Sequence, residues 1–150
     1  MKVLDSVSIL LRQKGSDIFS VPSDASVYSA IELMADKRVG ALLVIDDCQL
    51  VGIISERDYA RKVILQGRSS KDTFVREIMT PSPITIGCNA SVEEAMRTMT
   101  DHHFRHLPVI DSVGHVAGVL SIGDLVSWIM TSQDDAIAHL ERYIHGDFCH

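Results

Sequence analysis

The chain repeats itself in register. Ser26-Val27-x-x-Ala30-x-x-x-Met34-x-Asp36 returns as Ser91-Val92-x-x-Ala95-x-x-x-Met99-x-Asp101 at a constant offset (91 − 26 = 65). The register continues through Leu42-x-Val44-Ile45-Asp46 and Leu107-x-Val109-Ile110-Asp111. After one inserted residue, Gly52-x-x-Ser55-x-x-Asp58 is matched by Gly118-x-x-Ser121-x-x-Asp124. A duplicated unit implies a pseudo-twofold axis, and such an axis creates two equivalent clefts where the halves meet. The first place to look for a site is between the repeats.

Units of roughly 60 residues are marginal alone, which favours close packing of one on the other in a single body. No stretch approaches the roughly 18 apolar residues of a membrane helix. Asp5 and the short apolar run from Val7 to Leu11 make a poor secretory leader. Three widely spaced cysteines, Cys48, Cys88 and Cys149, give no disulfide or zinc framework, so a reducing cytoplasm is the expected compartment. The net charge of −6 disfavours nucleic-acid binding. Residues 55–78 nevertheless carry six basic against four acidic side chains, or +2, leaving −8 elsewhere. A basic island in an acidic chain suits a small anion better than a polyanion.

Periodicity predicts a helix over Asp5–Lys14 with Gly15 as its stop, then a strand over Ile18–Val21. Ser26 should cap a helix over Val27–Lys37. Ala41–Ile45 and Val51–Ile54 read as a hairpin, and Glu56–Gln66 as a helix ended by Gly67. The second copy predicts a strand over Ile84–Ile86 and a helix opened by the Ser91-x-x-Glu94 capping box. A hairpin of His106–Ile110 and Val116–Leu120 and a helix over Gly123–Met130 follow, with a separate closing helix over Asp134–Tyr143. The expected divisions are an N-terminal helix (1–15), first motif (16–67), linker (68–82), second motif (83–131) and C-terminal helix and tail (132–150). The fold class is α+β: two β-α-β-β-α units sharing a core.

Leu107-Pro108-Val109-x-Asp111 followed by Gly118-x-x-Ser121-x-x-Asp124, with the same pattern in the first half, resembles a tandem pair of CBS (cystathionine β-synthase) domains. The resemblance covers about residues 16–131. Ser55-Glu56-Arg57-Asp58-Tyr59-x-Arg61-Lys62, with Gly67-Arg68-Ser69-Ser70-Lys71 and Ile78-Met79-Thr80, is similar more narrowly to stand-alone CBS-pair proteins of proteobacteria and plant organelles. It implies two pseudo-twofold-related motifs in one CBS-pair module that assembles as a homodimer. It also implies clefts that bind adenosine-containing ligands, AMP or NAD(H) foremost among AMP, ADP, ATP, NAD(H) and S-adenosylmethionine.

Such a ligand offers a flat base, a vicinal diol and an anionic phosphate. Asp58 and Asp124, at helix starts, can accept hydrogen bonds from both ribose hydroxyls, as the acidic residue of a dinucleotide fold does. Ser55 and Ser121 can bond ribose or phosphate, and amides around Glu56-Arg57 and Ile122-Gly123 can donate to an anion. Ser-x-x-Asp is equally a helix capping box, and one copy would favour that role; two copies after Gly-containing strands favour ligand binding. By the resemblance, Arg105 and His106 point at phosphate, where an arginine can donate two parallel hydrogen bonds. The first repeat has Gly40 and Ala41 there, so the clefts should bind phosphate unequally, with Arg57 compensating or simply lying on a solvated helix face. Weaker expectations are base or backbone contacts from Val21, Ile86, Ile122 and Gly123. His102-His103-x-x-His106 straddles a helix end, so no metal site is expected.

The sequence lacks a phosphate loop, a Gly-rich dinucleotide loop and a nucleophile with an evident base, so catalysis is not expected. The functional expectation is a regulatory, ligand-sensing module that signals to an unidentified partner protein, without membrane or nucleic acid. The alternatives are a ligand-free structural or dimerisation module and, weakest, a nucleotide-processing enzyme.

Overall fold

The computed structural model describes residues 5–15 and 17–141, with side chains as far as Thr131. In the first repeat, β1 (Ser20–Val21) leads to α2 (Val27–Lys37), the helix that follows α1 (Val7–Lys14). Ser26 Oγ accepts from the Ser29 amide at 3.1 Å, and Arg38 ends α2 in the left-handed region at φ 57°. The hairpin of β2 (Ala41–Asp46) and β3 (Gln49–Ser55) feeds α3 (Glu56–Tyr59), which widens into a π turn over Ala60–Ile64. The Leu65 amide reaches back to the Ala60 carbonyl, and Val63 is driven into the core. The expected helix to Gln66 thus stops being α-helical at Tyr59.

α4 (Val75–Ile78) and β4 (Thr80–Pro81) come from the stretch expected to be only a linker. The second repeat supplies β5 (Ile86–Gly87), α5 (Val92–His102), β6 (His106–Ile110) and β7 (Val116–Ser121). α6 runs unbroken from Ile122 to Glu141, merging the two expected helices; Arg142 and Tyr143 lie outside the described residues.

The sheets are ordered β1-β2-β3-β4 and β5-β6-β7, with β1 and β5 parallel to β2 and β6 and the hairpins antiparallel. Both inner strands slip register at the same place, Val44/Ile45 and Val109/Ile110. Both lead strands start two residues later than expected, at Ser20 rather than Ile18 and at Ile86 rather than Ile84. β5 also lacks Thr85, the residue equivalent to Ser20, and Pro108 gives the reason for that difference. Its counterpart Leu43 donates its amide to the Phe19 carbonyl at 3.2 Å, a bond proline cannot make to the equivalent Ile84.

The expected shared core is instead two cores. One gathers Val27, Met34, Leu42, Ile54 and Val63, the other Val92, Met99, Leu107, Leu120 and Trp128. Each is finished by the segment preceding the opposite repeat. Val7, Leu10 and Leu11 of α1 enter the second core, while Val75 and Ile78 of α4 enter the first. The backbone repeats this exchange. Ser6 bridges Ser91, with Val7 N to Ala90 O at 2.8 Å; Phe74 bridges Ser26, with Val75 N to Ala25 O at 2.8 Å. The two motifs are clasped by their own leading segments.

Candidate functional site

Two clefts lie between the repeats: one joins the β3–α3 corner to the α5–β6 corner, the other the β7–α6 corner to the α2–β2 corner. The first, about 550 Å³, places Ser55, Arg57, Asp58 and Arg61 opposite His103, Phe104, Arg105 and His106. The second, about 380 Å³, places Ser121 and Asp124 opposite Arg38, Val39, Gly40 and Ala41, with Lys14 and Phe19 on its wall. Both volumes fall in the roughly 300–1,000 Å³ range of small-molecule sites. His106 lines both clefts and lies over Gly40, whose absent Cβ would sit 3.8 Å from the imidazole.

Each Ser-x-x-Asp pair closes a helix start. Ser55 N donates to Asp58 Oδ2 at 2.9 Å and Asp58 N to Ser55 Oγ at 3.1 Å. Ser121 N donates to Asp124 Oδ2 at 2.8 Å and Asp124 N to Ser121 Oγ at 3.0 Å. The capping role is therefore filled in both halves, while both acids still line a cleft. The amides named as anion donors need correcting. Glu56 N is taken by the Gly40 carbonyl and Ile122 N by the Arg105 carbonyl, each at 3.0 Å, so those two amides are spent joining α3 to β2 and α6 to β6.

The clefts differ in their cations. Arg57, Arg61 and Arg105 surround the first, where the second has Lys14 and Arg38. Lys62 Nζ approaches Asp58 Oδ1 at 3.3 Å and donates to the Ile78 carbonyl at 2.8 Å, yet it does not line the first cleft. Lys14 Nζ lies within the second cleft, bonded to Asp124 Oδ2 and, at 2.7 Å, to the Val119 carbonyl. Burial holds the His106 imidazole below its usual pKa; nearby Asp124 opposes this, and Lys14 and Arg105 add to it.

Val21 and Ile86 pack with the two cores and line neither cleft. Ile122 instead borders an apolar hollow of about 700 Å³ with Met96, Leu125 and Val126, adjoining the first cleft at Arg57, His103 and Arg105. Gly123 lies against Ser121 Oγ and lines neither cleft. Among the described residues, no group of three His, Cys, Asp or Glu side chains is placed to hold a metal. His102 Nδ1 pairs with the Thr98 carbonyl, and its ring stacks on Phe104.

Sequence reasoning missed Lys14, Arg38, Phe104 and Thr80, and considered His103 only as a metal ligand. The repeat offset would have found one pair. Arg38 and His103 are equivalent positions, both left-handed helix ends at φ 57° that turn toward the axis.

A duplicated α+β unit with two clefts between its halves defines a tandem-repeat module. Residues 14–64 and 75–131 match the CBS domain family, and the chain belongs to it. A solved protein with CBS domains from Burkholderia ambifaria is 47% identical, with a TM-score of 0.82, covering 86% of this chain and 96% of that one. A CBS domain protein from Pyrobaculum aerophilum, solved in complex with AMP, is 29% identical with a TM-score of 0.72, over 80% of this chain and 89% of that one. A mitochondrial CBS domain-containing protein of Arabidopsis thaliana is 43% identical over 84% of this chain, which spans 63% of that relative's length. Other Arabidopsis relatives, 34–35% identical, are matched over less than a quarter of their length. No described helix is long and apolar enough to cross a membrane.

Proposed function

We propose that this protein is a regulatory module that binds an adenosine nucleotide, AMP or NAD(H), between its repeats and passes that occupancy to a partner protein without turning the ligand over. The observation that carries the reading is the first cleft. One wall brings Ser55 and Asp58 for a ribose, the facing wall brings Arg105 and His106 for phosphate, and Arg57 comes from the ribose side. The AMP complex of the Pyrobaculum relative supports the ligand class. The arginines can grip phosphate through two parallel bonds each, and Phe104 offers an apolar ring nearby. Regulation then requires that the nucleotide bind one relation of the repeats more tightly than another.

Thermal melting with AMP, ATP, NADH or S-adenosylmethionine tests this. At about 100 times Kd, linkage supplies about 2.7 kcal/mol, or roughly 5–10 °C at this chain length. Asp58→Ala should remove most of that rise. No shift with any of the four would defeat the proposal and favour a ligand-free scaffold, the reading supported by both acids already serving as caps. Homodimer formation belongs to the same proposal. It is supported by exposed Met96, Ile122, Val126 and Met130 along α5 and α6, and a monomeric mass in light scattering would remove it.

A further inference from the structure

We propose that Lys14 decides which cleft takes the nucleotide: it closes the second cleft to ribose, so that the chain binds one nucleotide, in the first. The inference rests on the adenosine-binding reading above and adds the selection between its two sites.

Lys14 is the last residue of α1, and its position is fixed by packing at a distance. Val7, Leu10 and Leu11 bury α1 in the second core, and Leu11 lies on the backbone of Gly118, where an added Cβ would come within 2.9 Å of its Cδ2. That seating delivers the Lys14 ammonium to Asp124 Oδ2 and to the Val119 carbonyl at once. A ribose diol that uses both oxygens of Asp124 must compete at Oδ2 with the Lys14 ammonium and the Ser121 amide. Displacing the ammonium would leave it without either acceptor, while the Ser121 amide continues to hold the same Oδ2.

The first cleft lacks this plug because the leading segments diverge. α4 is the counterpart of α1 by its core contacts and backbone bridges, and Met79 meets Gly52 as Leu11 meets Gly118. But α4 ends at Ile78 and the chain turns into β4, so that Thr80 reaches the first cleft and no cation arrives there from the leading segment. Lys62 does approach Asp58, but as a helix neighbour anchored on the Ile78 carbonyl and outside the cleft lining.

Equilibrium dialysis with labelled AMP, or calorimetry, reads the stoichiometry directly. The wild type should bind one AMP per chain, Lys14→Met two, and Lys14→Arg one; Lys14→Gln repeats the test if the methionine variant melts abnormally. Asp58→Asn should leave none in the wild-type background and one in the Lys14→Met background. Two sites in the wild type, or one in both Lys14→Met and Lys14→Gln, overturns the inference. So does AMP retained by Asp58→Asn alone, which would place the ligand in the other cleft. Loss of a site on Lys14→Met would make Lys14 a phosphate anchor, again overturning it. No AMP bound by any variant overturns this inference, and the binding proposal falls with it only if ATP, NADH and S-adenosylmethionine also give no thermal shift.

Discussion

His106 is the residue at which the two clefts become one electrostatic problem, because its ring borders both. Burial disfavours the imidazolium and outweighs the attraction of Asp124, so the folded pKa lies below the ordinary value. The unfolded chain therefore binds this proton first as the pH falls. Stability from this group is complete above about pH 6.5 and is lost progressively below it, down to the folded pKa. His106→Gln should consequently show a flatter fall of the urea midpoint than the wild type as buffers are taken from about pH 7 downward. Parallel curves would refute the assignment. Asp46 and Asp111 show where reading by repeat stops. They hold equivalent positions, but Asp46 accepts from the amide and hydroxyl of Ser23, whereas Asp111 accepts from Val113 and His115 in its own turn. Hydrogen bonds lower both carboxyls, yet only the second set is local enough to be inferred from neighbouring residues.

At the scale of elements, in each half a leading segment presses on a glycine of the hairpin's second strand. A Cβ at Gly52 would lie 2.5 Å from Met79 Sδ and 3.0 Å from the Thr80 carbonyl, which belongs to strand backbone. At Gly118 the obstacle is the tip of Leu11, which can rotate. Gly52→Ala should cost about 1–3 kcal/mol by overpacking, and Gly118→Ala should stay within about 1 kcal/mol of neutral. Equal costs in chemical denaturation would contradict the equivalence of contact but inequality of give proposed here. Most of the elements were legible, since Ser26, Ser91 and the alternating apolar runs are local signals. The exchange of α1 and α4 was not. Val7, Leu10 and Leu11 align with Val75, Ile78 and Met79 only through the bridges at Ser91 and Ser26, which no short-range pattern encodes. The continuity of α6 was missed because Thr131-Ser132 has weak helix propensity and reads as a break. In the clefts, Ser55, Asp58, Arg57 and Arg105 were legible from the motifs, but Lys14 reaches Asp124 across 110 residues of sequence.

For the whole molecule, two cores would ordinarily allow two separate unfolding steps, since each could melt with its own sheet. The exchange of leading segments opposes this. Opening the second core frees α1, which leads into β1 of the first repeat, and opening the first frees α4, which leads through β4 into the second repeat. The backbone bonds at Val7 and Val92 tie the α1 segment to the second repeat, and those at Val27 and Val75 tie the α4 segment to the first. Each core thus holds a segment whose chain runs on into the other. Leu11→Ala should therefore cost about 2–5 kcal/mol, although the cavity it leaves belongs to only one core. Trp128, the sole tryptophan, lies in that second core and reports on it by fluorescence, while far-ultraviolet circular dichroism reports on both halves. The two signals should share one denaturant midpoint in the wild type and shift together in Leu11→Ala. A fluorescence transition that precedes the dichroism would show that the halves unfold independently. The clasp would then be a contact between domains, too weak to couple them, and occupancy of a cleft could not be transmitted from one repeat to the other through it.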